Sequence, residues 1–183
     1  MTAVTTLPFG RPLTRADLEL MPEDGHRYEL IDGALIVSPG PRTAHQTAVI
    51  NLAVLLSAAC PSDLKVLTAP FAVGLADDTE VQPDVLVARR DDFTEVDLPV
   101  PPLLAVEVLS PSTRRVDLLL KRDRYQAAGI RSYWVVDPDE PSLAVLELGP
   151  EGIYLEVARS TGDQQIGVAA PYPLELSAAA LLR

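Results

Sequence analysis

The stretch LLAVEVLS at 103–110 is the feature that most limits how this chain can fold. Side chains alternate along a strand, so Leu103, Ala105, Glu107 and Leu109 share one face, while Leu104, Val106 and Val108 share the other. Both faces are apolar, which calls for a strand at the centre of a sheet with other elements packed above and below it. Glu107 breaks the apolar run. Removing its charge from water costs several kcal/mol, roughly, unless a cation answers it. A buried arginine would serve as well as a metal ion, and the metal is the reading carried forward.

The rest of the chain supplies the covering elements. A short helix is expected at 14–21, and RYELIDGALIV at 27–37 reads as a hairpin turning at Asp32-Gly33. Apolar residues recur at helical spacing over 43–59 until Pro61 stops them. Residues 65–75 and 80–88 read as the two arms of a second hairpin joined by 76–79. RRDDFTEVDLPVPP then reads as a surface loop leading into the strand at 103–109. Ser110-Pro111-Ser112-Thr113 suits a helix start and Gly129 its stop, so a second long helix lies between them. Strands follow at 132–137, 143–148 and 154–158, with Trp134 expected in the core. This order predicts an α/β or α+β fold, a mixed β-sheet flanked by helices, with the second helix crossing between neighbouring strands. One domain is expected over 1–183, with a flexible lead at 1–13, since 183 residues with 48% apolar content suit one core.

Composition narrows the function. Cys60 is the sole cysteine, so no internal disulfide framework exists and a reducing cytoplasm is the expected location. No apolar run is long enough to span a bilayer, and the amino terminus has no secretion pattern. A net charge of −11 opposes a surface that attracts nucleic acid as a whole. Locally, however, Arg114, Arg115, Lys121, Arg122, Arg124 and Arg131 concentrate six of the 15 basic residues in one stretch. They could equally form a solvated helix face, interleaved as they are with Asp117 and Asp123.

Asp84 repeats the pattern of Glu107. In VQPDVLVA it shares a face with Gln82, Leu86 and Ala88, and Pro83 before it has no amide hydrogen, which suits a strand start or bulge where a carboxylate can turn toward a ligand. Two carboxylates on adjacent strands repel unless one is protonated or a hard divalent cation binds both, and magnesium suits such a pair. Taken alone, Pro-Asp is also a common turn dipeptide.

Pro83-Asp84 followed by Glu107 resembles the proline-aspartate and acidic positions of the PD-(D/E)XK nuclease superfamily. RYELIDGALIVSP, QPDVLVA and LLAVEVLSPSTRRVDLLLKRDRYQAAGIRSYWVVDP together resemble the bacterial Uma-two family of restriction-endonuclease-like proteins, over most of 27–138. The resemblance implies a restriction-endonuclease-like sheet and a metal-dependent endonuclease acting on nucleic acid, DNA before RNA. It also implies a homodimer and Mg2+, or Mn2+, as cofactor. Asp84, Glu107 and the Val108 carbonyl would hold the metal. The superfamily's lysine position, two residues after the acidic one, is Leu109 here, and the resemblance assigns that role to Lys121 on the following helix. Glu29 would add a ligand or hold a water, with His45, Gln46 and Tyr125 in supporting positions. Each has an ordinary alternative: Lys121 could pair with Asp117 on an exposed helix face, Glu29 could face solvent on its hairpin, and His45 could be a helix-surface or core histidine. Two other functions stay open, a binding or assembly module without turnover and hydrolysis of another phosphate ester.

Overall fold

Residues 104–108 form a strand with every side chain buried, and its two faces separate the two halves of the apolar core. The computed structural model describes residues 7–8 and 10–183. Along the chain run α1 (Arg15–Leu18), β1 (Arg27–Ile31), β2 (Ala34–Ser38), α2 (Thr43–Ala59), β3 (Leu64–Thr68), β4 (Ala72–Ala76), β5 (Thr79–Val81), β6 (Val85–Arg89), β7 (Asp97–Leu98) and β8 (Leu104–Val108). After them come α3 (Arg122–Ala127), β9 (Ser132–Asp137), β10 (Ser142–Leu148), β11 (Tyr154–Thr161), β12 (Ile166–Val168) and β13 (Leu174–Leu176). The flexible lead expected over 1–13 falls mostly on residues outside this description. Of the remainder, Leu13 donates its N–H to the Gly33 carbonyl at 3.0 Å.

β8 lies inside a six-stranded sheet of order β11-β10-β9-β8-β6-β3. It pairs antiparallel with β6 and parallel with β9. The parallel pair requires a crossover, which the helix between them supplies. Leu104, Val106 and Val108 pack against Ala48, Leu52 and Leu56 of α2, while Ala105 and Leu109 pack with Leu86, Tyr125 and Tyr133 on the opposite face. Leu103 departs from the expected alternation and joins the α2 side, because it sits in the bend before the strand begins. Trp134 is fully buried, as expected.

The second expected hairpin is split across two sheets. Its inner half, β4 with β5, joins a five-stranded sheet of order β2-β1-β5-β4-β7, and its outer half, β3 with β6, forms one edge of the larger sheet. Pro70 and Pro83 interrupt the two arms at the same level. Lacking N–H groups, they cannot continue the ladder there, and the two arms change sheets together. The surface loop at 89–102 also contains a 3-10 turn at Arg90–Asp92 and the short β7, which pairs parallel with β4. The second long helix is present, but Val116–Lys121 is wound as π-helix before α3 begins. Such winding often marks a functional site.

At the first hairpin Asp32 and Gly33 both take positive φ, 52° and 73°, as a two-residue turn of this hand requires. A Cβ added at Gly33 would stand 2.4 Å from the Pro12 Cβ. Gly33→Ala is therefore expected to cost roughly 1–3 kcal/mol, from overpacking and left-handed strain. Urea denaturation would measure the loss, and an unchanged midpoint would refute the crowding.

Candidate active site

The antiparallel register pairs Val85 with Val106. One further rung would set Asp84 beside Glu107, but β6 has ended at Pro83-Asp84 and the strands part there. The freed Asp84 side chain takes over the ladder's role: its Oδ2 accepts the Val108 N–H at 2.8 Å. The same Oδ2 lies 3.1 Å from His45 Nε2 on α2, and Oδ1 accepts a hydrogen bond from Arg27 Nη1 at 2.9 Å. Val108 meets Asp84 through its N–H, while the role that the resemblance implies for it is that of its carbonyl.

Glu107 points toward the crossover helix. Its Oε1 accepts hydrogen bonds from the Tyr125 hydroxyl at 2.5 Å and from Lys121 Nζ at 3.1 Å. Lys121 Nζ also sits 2.8 Å from Glu29 Oε1 and 3.7 Å from Asp117 Oδ1. Glu29 is fixed in turn by the Gln82 N–H at 2.7 Å, and its Oε2 lies 3.5 Å from Arg27 Nε. The structure thus gathers Asp84, Glu107, Lys121, Glu29, His45 and Tyr125 into one connected cluster. Gln46 lies on the cleft beside it and makes no hydrogen bond to it among the described residues. The Asp117–Lys121 pair, open to a surface reading in sequence, is buried, with only 1% of the lysine side chain exposed.

Two members escaped the sequence. Arg27 alternates with Glu29 and so shares its face on β1, a signal that was present in RYELIDG. Asp117 is drawn inward with Lys121 on the π-wound stretch, a local winding that the expected α-helical spacing does not reveal.

Burial raises the Asp84 carboxyl, but the hydrogen bond from His45 and the charge of Arg27 outweigh it and hold the group at about 2. Burial raises Glu107 well above the ordinary carboxylate range; Lys121 pulls it down, and Asp84, Asp117 and Glu29 push it up again. Burial works against the Lys121 ammonium, yet Glu107, Glu29 and Asp117 hold its pKa above the ordinary lysine value.

The chemistry of the donors suits a hard divalent cation. Four carboxyl groups (Glu29, Asp84, Glu107, Asp117) face two permanent cations (Arg27, Lys121), so they outnumber the cations by two. Glu107 Oε2 is buried without a partner among the described residues. As the side chains stand, no three His, Cys, Asp or Glu residues among those described are grouped to hold an ion. Lys121 spans Glu29 and Glu107, and Arg27 spans Glu29 and Asp84.

A cleft of about 1120 Å³ reaches this cluster from outside, between the β1 and β2 hairpin, α2 and the 110–113 turn. Asp84, Arg27 and His45 line it, but Glu107, Glu29 and Lys121 do not. Its walls carry Glu19, Glu23 and Glu80, with Arg42 as the only other described lysine or arginine. The basic stretch 114–131 is absent from these walls. Lys121 is committed to the carboxylates, Arg114 pairs with Asp137, and Arg124 pairs with Asp32 and Asp78.

A six-stranded mixed sheet covered on both faces, with a carboxylate cluster where two of its strands part, defines a restriction-endonuclease-like α+β protein. The family model for Uma2, described as "Putative restriction endonuclease", matches residues 15–180, and the chain belongs to that family. A solved structure described as a "putative nuclease belonging to DUF820", from Anabaena variabilis, is similar at 20% identity. That match has a TM-score of 0.73 and covers 93% of this chain and 98% of the other. No curated protein matches. Among the described residues, no helix is long and apolar enough to cross a membrane.

Proposed function

We propose that the chain is a divalent-metal-dependent endonuclease, working on DNA with Mg2+ or with Mn2+ in its place. The observation that carries this reading is the buried cluster of four carboxyl groups around two cations, reached from a cleft at Asp84. Asp84 and Glu107 would hold the ion. When bound, it would supply an activated water and neutralise charge on the scissile phosphate. Tyr125 fixes Glu107 by donating to Oε1, so that Oε2 is the oxygen left to give. Lys121 stays protonated and would stabilise negative charge developing on the phosphate. Glu29 anchors the lysine, and His45 orients Asp84. Because the cleft walls carry more carboxylates than arginines, phosphate affinity would come from the ion and Arg27 rather than from a broad basic surface. A cytoplasmic homodimer, with one domain over 1–183, completes the proposal. The single free Cys60 supports the compartment, and the family resemblance supports the dimer.

The test is cleavage of single- and double-stranded DNA and RNA by purified protein, with Mg2+ or Mn2+ against chelator. Cleavage is expected to vanish with chelator, return with the ion, and fall by at least 10²- to 10³-fold, roughly, in Asp84→Asn. Asparagine can still accept the Val108 N–H, so that variant is expected to fold. Cleavage that survives both treatments would remove Asp84 and the ion from the reaction.

The rival reading, a binding or assembly module without turnover, is favoured by one observation: both Asp84 oxygens already have partners. It predicts nucleic-acid binding, or none, with no cleavage under any ion. A third, hydrolysis of another phosphate ester at the same site, predicts ion-dependent cleavage of small diesters alone, each giving a monoester and an alcohol.

A further inference from the structure

Arg27 stands between the cleft and the carboxylates. Of its side chain 20% is exposed, against 3% for Asp84, 1% each for Glu29 and Lys121 and 0% for Glu107. Its Nη1 holds Asp84 Oδ1 at 2.9 Å and the Gln82 carbonyl at 3.3 Å, while Nε faces Glu29 Oε2 at 3.5 Å. A cation arriving from the cleft meets this guanidinium first, at the carboxylate it has to bind. Lys121, by contrast, is sealed beneath and absent from the cleft.

We propose that Arg27 is a displaceable counter-ion, occupying Asp84 in the free protein and yielding it to the divalent cation. The released guanidinium turns into the cleft and binds a phosphate oxygen of the substrate. The proposal rests on the metal-site reading above and adds a residue and an exchange to it. The physical basis is that a guanidinium and a divalent ion compete for one carboxylate, and that once the ion is seated Arg27 keeps only the longer Glu29 contact, at 3.5 Å. A planar donor fork beside a cleft is well suited to the next anion to arrive, which is phosphate.

Two measurements test it, and neither depends on catalysis. In a crystal of the wild-type protein soaked with Mn2+ alone, the ion is expected on Asp84, with Arg27 Nη1 moved beyond hydrogen-bond distance. In calorimetric titrations, Arg27→Met is expected to bind Mn2+ on the order of tenfold more tightly than wild type, since Asp84 no longer gives up a charge-assisted hydrogen bond. Arg42→Met removes one unit of charge from the same cleft without touching Asp84, and it is expected to change Mn2+ affinity less than about twofold at ordinary ionic strength. Arg27→Met is also expected to weaken binding of a short oligonucleotide to the Mn2+-loaded protein by about tenfold, the scale of one charge-assisted contact. Mn2+ on Asp84 with Arg27 still 2.9 Å away, or equal Mn2+ affinities for wild type and Arg27→Met, would overturn the exchange. An ion seated as expected with no cleavage of any nucleic acid would instead leave the exchange standing and remove the nuclease reading.

Discussion

Lys121→Met is expected to cost about 3–5 kcal/mol of folding stability, the usual consequence of removing one partner from a buried charged group. The lysine ammonium is the shared counter-charge of Glu29 at 2.8 Å, Glu107 at 3.1 Å and Asp117 at 3.7 Å, with 1% of its side chain in contact with solvent. Methionine fills much of the volume but leaves Arg27 as the only permanent cation against the four carboxyl groups of the cluster. A folded protein commonly has a margin of only about 5–15 kcal/mol, so the loss is a large share of it. Guanidinium denaturation would measure the difference. A loss under about 1 kcal/mol, the range of exposed ion pairs, would show that Lys121 behaves as the surface partner of Asp117 that its spacing alone suggests.

Glu107→Gln is expected to separate stability from activity in the opposite way. Glutamine keeps an oxygen for the Tyr125 hydroxyl and Lys121, and Lys121 retains Glu29 and Asp117 as counter-charges. Because the folded-state pKa of Glu107 is raised, the native protein binds more protons than the unfolded chain as pH climbs above the ordinary carboxylate value. The contribution of Glu107 is therefore present in full below that value and is lost as pH rises through the folded pKa. The glutamine variant lacks this loss, so its stability relative to wild type is expected to improve from pH 4 toward neutrality, on the order of 1 kcal/mol or more per pH unit while the group titrates. Cleavage, meanwhile, is expected to drop by roughly 10²- to 10³-fold or more, because the charged oxygen left for an ion is gone. A variant as active as wild type would exclude Glu107 as a ligand. One whose relative stability is flat with pH would contradict the raised pKa.

Much of this site could be read from local pattern. The alternation of 103–109 placed Glu107 on a covered strand, and Pro83 announced that Asp84 sits where pairing loosens. The structure agrees on both, with Asp84 capping Val108 where β6 has parted from β8. The second hairpin was legible only as a pairing. That its arms cross between sheets at Pro70 and Pro83 depends on which strands flank them, and β1 and β8 come from far along the chain in either direction.

The sequence by itself determined the doubly covered strand at 103–109, α2 over its full length, the Asp32-Gly33 turn, and the break in pairing at Asp84, because each follows from periodicity, from turn chemistry or from the missing N–H of proline. Only the tertiary structure decided that Lys121 reaches Glu107, that Arg27 and Asp117 join the cluster, and that the cleft opens on Asp84 rather than Glu107. Those facts depend on how a helix lies over a sheet and how one sheet meets another. Such placements are set by burial among distant residues, and local spacing does not encode them.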